Sequence, residues 1–340
     1  MKDTASKPTI EDVAHACGVS ASTVSRVINK SSPVSRVLQK RVEEAIQEIG
    51  FQPRRKTPRV RAERIGLMVP NPLNPRFAEL INAAQKEADR QGLNLAVFDA
   101  TENPEFQQHR LHLLKRWPLD GLIVIDTQIP ADRLVKFHEQ EHIPLVVSRS
   151  VEIPELPCIM TDYATVTQQA INYLISLGHK KIACISGLPE WESSKIILTS
   201  IKRTLADAGL CFLPELYRCC FPTIEESAQL ASNLLDVPRE QRPSAIMAFN
   251  DLSAIGALHS AKSLGLLVPQ DLSISGFGDI MMAAYTTPPL TTISQPSSNI
   301  GQLSIRKLSE LMNTRLSTTG GFTLLKCSFI VRESTGPCPE

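Results

Sequence analysis

From residue 65 onward the chain alternates between two patterns. Short apolar runs (IGLMVP, LNLAVFDA, GLIVID and PLVVSRS, then KIACIS, AIMAF and SISGF) are separated by stretches of helical periodicity. In PRFAELINAAQKEADRQG, for example, Phe77, Leu80, Ile81, Ala84 and Ala88 fall on one helical face. Apolar strands joined by amphipathic helices predict parallel sheets covered on both sides. The pattern restarts after about residue 162, which predicts two similar subdomains. Ligands in such folds sit beyond the carboxyl ends of the strands, which here means the cleft between the subdomains.

The first 51 residues follow a different rule. Thr9 can cap a first helix, with Asp12 returning the bond, and Gly18 breaks it. Ser20 can cap a second helix, SASTVSRVIN, which turns Val24, Val27 and Ile28 inward. Ser35 can cap a third, with Leu38, Val42, Ala45 and Ile49 on one stripe. Two helices joined by a tight glycine turn and braced by a third make a helix-turn-helix. The outer face of the second helix carries Ala21, Ser22, Thr23, Ser25, Arg26 and Asn29. Small and hydroxylated residues at a helix N-terminus suit close approach to phosphate. Arg26 has the fork that matches a guanine edge in the major groove. A merely solvated polar face is the alternative, but the turn, the caps and the basic surroundings favour DNA.

Charge divides the chain in the same place. Residues 1–64 hold thirteen bases and seven acids, a net +6, whereas the remainder carries −5. A basic head on an acidic body is expected to meet a polyanion. The basic stretch PRRKTPRVRAER, residues 53–64, ends the first part and supplies six of its thirteen bases. No apolar run reaches the roughly 20 residues of a membrane span. The N-terminus lacks a secretory signal, so the expected location is the cytoplasm. Eight scattered cysteines with no CxxC pair are expected to be reduced thiols.

Enzyme motifs are scarce. There is no Walker loop and no complete GxGxxG. HEQEH, residues 138–142, is a formal HExxH, so His138 and His142 could share a helical face with Glu139 as base. A solvated surface helix is the preferred reading, because the segment stops at once at Ile143-Pro144. No cofactor is implied. The competing functional readings are a cytoplasmic solute-binding protein without DNA function and, less favoured, a zinc hydrolase.

TIEDVAHACGVSASTVSRVIN, followed by VSRVLQKRVEEAIQEIGFQP, resembles the DNA-binding head of the LacI/GalR repressors. The resemblance continues through RIGLMVPNPLNPRFAEL, LDGLIVI, LISLGHKKIACISG, AIMAFNDLSAIGAL, GLLVPQDLSISGFGD, PPLTTISQP and VRESTG. It implies an N-terminal all-α helix-turn-helix head, residues 1–52, a basic hinge, residues 53–64, and an α/β core, residues 65–335. The core would be periplasmic-binding-protein-like, with two similar parallel-sheet subdomains. Subdomain N would span about 65–161 and 293–320, and subdomain C about 162–292 and 321–335. The implied function is sequence-specific transcriptional regulation, as a repressor. The implied partners are a second copy of the chain, a pseudopalindromic double-stranded operator and a small-molecule effector.

The resemblance also implies site residues. Asn74, Phe77, Asn250, Asp251 and Gln295 match positions around the family's effector cleft, although Asp251 could equally be a helix cap. Sugar-responsive members carry aspartate where this chain has Ser148, before Arg149, and arginine where it has Ile197. They carry glycine and an aromatic at Ser200 and Ile201, and aspartate at Gly278. Losing these charge-assisted groups implies a less polar cleft and an effector that is not a typical free sugar. In the hinge, Arg54 and Arg55 would clamp phosphates. Val60 would be the apolar wedge of a helix entering the minor groove, with Pro58 in its first turn.

Overall fold

A computed structural model of the chain describes residues 8–29, 34–51, 63–101, 103–314 and 320–339. Its contacts divide it into two compact units, Met1–Arg61 and Ala62–Glu340.

The first unit contains α1 (Ile10–Ala16), α2 (Ala21–Asn29) and α3 (Arg36–Ile49). Each helix starts where a side chain can satisfy an orphan amide. Thr9 Oγ1 accepts the Asp12 N–H, and the Asp12 carboxylate accepts the Thr9 N–H at 2.7 Å, closing a capping box. That backbone bond holds the Asp12 carboxyl below its ordinary value. Ser20 Oγ accepts from Thr23 N–H at 3.3 Å, and Ser35 Oγ from Leu38 N–H at 3.4 Å. Gly18 turns the chain at φ +60°, a conformation that costs glycine little. Arg41 reaches from α3 to donate from Nε to the Cys17 carbonyl at 3.0 Å, tying off the end of α1. Val13, Ala14, Cys17, Val24, Val42 and Ala45 form the buried centre.

The second unit runs β1 (Arg64–Val69), α4 (Pro75–Gln91), β2 (Asn94–Asp99), α5 (Pro104–Leu114), β3 (Gly121–Ile125), α6 (Ala131–Glu141), β4 (Leu145–Ser148) and β5 (Pro157–Thr161). It continues through α7 (Tyr163–Ser176), β6 (Ile182–Ser186), α8 (Glu192–Asp207), β7 (Tyr217–Cys219), α9 (Ile224–Leu235), β8 (Ala245–Ala248), α10 (Asp251–Ser263) and β9 (Ser273–Ser275). It ends with β10 (Thr292–Ser294), α11 (Ser297–Thr314), β11 (Gly321–Leu325) and β12 (Ser328–Ile330). The first sheet has the order β11-β5-β4-β3-β1-β2 and is parallel throughout. The second has the order β7-β6-β8-β9, and single bridges from Ser275 to Thr291 and Gly278 to Ser294 carry it on to β10. The two sheets therefore wind in the same order. Successive residues of a strand feed opposite layers, as the pleat requires. In β3, Ile123 and Ile125 join the core beneath α4 and α11, while Leu122 and Val124 join the other side.

The sequence-based subdomain limits need correction. The segment 321–335 does not enter the second subdomain as a block, because β11 pairs residue for residue with β5 in the first sheet. Residues 293–294 belong with the second sheet, through β10 and its antiparallel partner β12. The chain thus crosses between lobes after Thr161, after Ser294 and after Leu325. The physical reason lies at Gly320. Its backbone packs against the Pro154 carbonyl so closely that a Cβ has no room, docking this stretch onto the first lobe.

Candidate functional site

In the head, α2 buries Val24 and leaves Ser22 and Arg26 exposed, with Ala21, Thr23 and Ser25 half-buried. The hydroxyls at its N-terminus are linked: Ser20 Oγ lies 2.8 Å from Ser22 Oγ and 2.9 Å from Thr23 Oγ1. Asn29 closes the helix. Its side chain, and Arg54, Arg55 and Val60, lie outside the described residues.

In the core, a cleft of about 750 Å³, its mouth included, opens where strand ends of both lobes face each other. Helix caps and short turns place its side chains. Asn74 caps α4 by accepting the Arg76 N–H at 3.1 Å, which sets Arg76 and Phe77 on the first turn. β3 ends at Asp126, held at φ +43°, a left-handed conformation that Asp tolerates better than most residues. Arg76 Nη1 donates to Asp126 at 2.6 Å, and its guanidinium lies 4.7 Å from the Phe77 ring centre. Burial works against the charge of Arg76; the Asp126 carboxylate more than restores it. Tyr163, at the start of α7, is also buried, which raises its phenol above the ordinary value.

From β4, Arg149 crosses to the other lobe and donates from Nε to Glu192, the first residue of α8, at 3.1 Å; its Nη2 donates to the other carboxylate oxygen. Beside this ion pair Trp191 caps α8 without a side-chain bond and packs its ring 5.7 Å from Phe249. Asn250 engages both ends of its amide with protein: Oδ1 accepts Ser253 N–H at 2.7 Å, and Nδ2 donates to the Pro222 carbonyl at 3.0 Å.

Six of the sequence-predicted positions meet in this lining: Asn74, Phe77, Arg149, Ile197, Asn250 and Gln295. Three do not. Ser148 is buried within β4. Asp251 turns into the second lobe, where it accepts the Ile280 N–H at 2.8 Å and the Thr292 hydroxyl at 2.5 Å. Gly278 sits beside Asp251, bridged to Ser294. The lining also carries two arginines and two carboxylates, Arg76, Asp126, Arg149 and Glu192. Asp126 was findable, because it ends the run GLIVID at a strand's carboxyl end. Arg76, Trp191 and Glu192 carry no local signal; partners 50 and 43 residues away define the two ion pairs.

HEQEH does not lie wholly on a helix. His142 ends α6 in a left-handed conformation, forced out of the helix ahead of Ile143-Pro144, and His138 Nδ1 lies 2.8 Å from the Ile143 carbonyl. Among the described residues no group of three or more His, Cys, Asp or Glu is placed to hold a metal ion, and no helix is long and apolar enough to cross a membrane.

A capped helix-turn-helix followed by a two-lobed, cleft-bearing α/β core is the plan of a DNA-binding regulator. The comparisons agree. Residues 9–54 match the family described as bacterial regulatory proteins, lacI family, and residues 62–332 match periplasmic binding proteins and sugar binding domain of LacI family. The chain is 32% identical over 336 residues, 97% of each chain, to the HTH-type transcriptional repressor CytR of Escherichia coli. It is 32% identical to the repressor PurR of Aliivibrio fischeri, over 89% of this chain and 91% of the relative. The lac repressor dimer bound to operator and the anti-inducer ONPF superposes with a TM-score of 0.73 at 26% identity, covering 97% of this chain and all of that one. A CelR–cellobiose complex gives 0.72, also at 26%, covering 96% and 99%. The chain belongs to the LacI family and is a sequence-specific DNA-binding transcriptional regulator.

Proposed function

We propose that the protein is a repressor that binds a pseudopalindromic operator as a homodimer in the cytoplasm, with the core cleft taking a small effector that alters operator affinity. The observation that carries the DNA half is the capped polar face of α2 beyond the Gly18 turn. Arg26 reads a guanine edge, and Ala21, Ser22, Thr23, Ser25 and Asn29 fit the helix to the backbone. Arg54 and Arg55 add phosphate contacts, and Val60 is the minor-groove wedge. The lac repressor likeness, a dimer on its operator, supports the assembly. So do the exposed Met281, Met282 and Tyr285 in one turn of the second lobe, apolar side chains suited to a partner surface.

The effector is not a typical free sugar. Ile197 presents a hydrocarbon to the cleft, and the Asn250 amide, a natural partner for hydroxyls, already spends one donor and one acceptor site on the protein. The test is selection of genomic fragments with the full-length protein, followed by operator variants. Arg26→Ala is expected to cost about 1–3 kcal/mol and to relax preference at one base pair per half-site. Unchanged discrimination would reject the assignment of Arg26. Absence of any specific fragment would favour a solute-binding role instead.

A further inference from the structure

The cleft is unevenly supplied with hydrogen-bonding groups. Four N–H-bearing atoms of its lining have no partner among the described residues: Arg76 Nε and Nη2, Arg149 Nη1 and Trp191 Nε1. Arg76, Arg149 and Trp191 are each more than nine-tenths buried. Among the fully buried acceptor atoms of the lining, one lacks a partner among the described residues, Gln295 Oε1. Of the carboxylates, Asp126 accepts from Arg76 through one oxygen and Glu192 from Arg149 through both. A polyol brings a donor with every acceptor and so matches this buried donor set less fully than a group with acceptors alone. A carboxylate brings acceptors alone, and the Nε/Nη2 edge of Arg76 is the fork that takes one bidentately.

Charge narrows the class. Two arginines and two carboxylates leave the lining neutral. A single negative charge gains the four donors without facing a net negative wall. A second would be drawn against Asp126 and Glu192. The walls between these groups are Phe77, Phe249, Tyr163 and Ile197, suited to a flat apolar body.

We propose that the cleft ligand is a monoanionic carboxylic acid on a flat, largely apolar body, its carboxylate received by Arg76 and Arg149 and its ring by the aromatic walls. This rests on the reading of the cleft as the effector site. Arg149 is the specificity determinant with two roles, since the same guanidinium that meets the ligand ties the lobes together through Glu192. An acid bound there adds a second anion to a contact that spans the cleft.

The experiment uses the full-length protein and sodium benzoate as probe, with benzamide, phenyl phosphate and ribose as comparators at matched ionic strength. Thermal unfolding and calorimetry read binding. Benzoate is expected to stabilise saturably. Benzamide, with the same shape and no charge, is expected to bind at least about tenfold more weakly. Phenyl phosphate is expected to bind more weakly than benzoate. Arg76→Gln and Arg149→Gln should each weaken benzoate about tenfold or more, and Arg149→Lys, which keeps charge without the fork, by less. Trp191→Phe guards against misfolded arginine variants, since it removes one donor and keeps the ring; it too should weaken benzoate. The proposal is overturned if benzoate gives no saturable effect, if benzamide, ribose or phenyl phosphate binds as well, or if the arginine variants bind benzoate like wild type. Operator binding, measured separately, keeps the two readings apart. A neutral compound that binds and shifts operator affinity removes the carboxylate and leaves the effector site standing. A benzoate that binds but never shifts operator affinity does the reverse.

Discussion

Asn250 and Asp251 are neighbours in the sequence with opposite fates. Asn250 caps α10 at the cleft wall, and Asp251, one residue into the helix, is 1% exposed beneath the second lobe. The sequence presents them only as a polar pair at a strand end, so cap and ligand contact could not be separated; the turn between β8 and α10 separates them. Burial pushes the Asp251 carboxyl from its ordinary 3.8 up to about 6, with the Thr292 hydroxyl and Ile280 amide pulling the other way. The folded state therefore holds this proton more tightly than the unfolded chain. The stability it contributes is complete below about pH 4 and is lost as pH rises through about 6. Asp251→Asn stays neutral, its Oδ1 able to accept from Ile280 and its amide able to donate to Thr292. Between pH 4 and 6 the variant should gain stability relative to wild type, with a ceiling of roughly 3 kcal/mol. Urea midpoints across that range would show it, and a constant difference between the two proteins would contradict it. Arg76 and Asp126 illustrate the other limit of the sequence. Arg76 carries no local signal and Asp126 only its place at a strand end; the β3 turn brings them to 2.6 Å.

Among elements, the runs that are apolar on both faces were the legible ones: β1, β3, β4, β6 and β8 all fall within quoted segments, as their two-sided burial requires. The three-residue strands β7 and β12 left no periodicity to find, and the exposed edge strand β11 buries too little to need an apolar run. Helix packing depends on residues whose importance is equally hidden. Gly301 of α11 lies so close to α4 that a Cβ would sit 2.4 Å from the Leu80 carbonyl, and Gly256 of α10 stands in the same relation to Ile224 of α9. Each lobe thus has one helix pair whose contact requires a missing side chain. Beside the first crossing, Glu87 is buried and receives Arg90, Arg306 and Gln91; those bonds hold its carboxyl well below the usual range. Gly301→Ala must separate α4 and α11 against this bridge. Its favourable helix propensity will be outweighed, and a net loss of about 1–3 kcal/mol is expected in chemical denaturation. A neutral or stabilising result would mean that the helices slide apart freely.

At the scale of the whole molecule, the order of motifs made the plan legible: a helix-turn-helix, then two rounds of βα winding. Charge was legible too, because the basic stretch closes a segment of net +6, residues 1–64, and the rest of the chain carries −5. That stretch, PRRKTPRVRAER, lies mostly outside the described residues, so its role rests on composition. Replacing Arg54, Arg55 and Lys56 with serine is expected to flatten the slope of log operator affinity against log salt, by roughly one unit for each phosphate that is no longer neutralised. An unchanged slope would make the segment a tether only. The lobe boundaries were the least legible feature, since a crossover is set by which sheet edge accepts a short strand. Their placement bears on how the chain is made. β11 and α11 complete the first lobe, yet they are encoded after every strand of the second lobe's parallel sheet. On the ribosome, where residues emerge in order, the lobe begun first is finished only after the second lobe's parallel sheet has emerged. Until residue 325 has appeared, β5 presents an unpaired edge, and the growing polypeptide must hold that edge open through the synthesis of a whole neighbouring sheet.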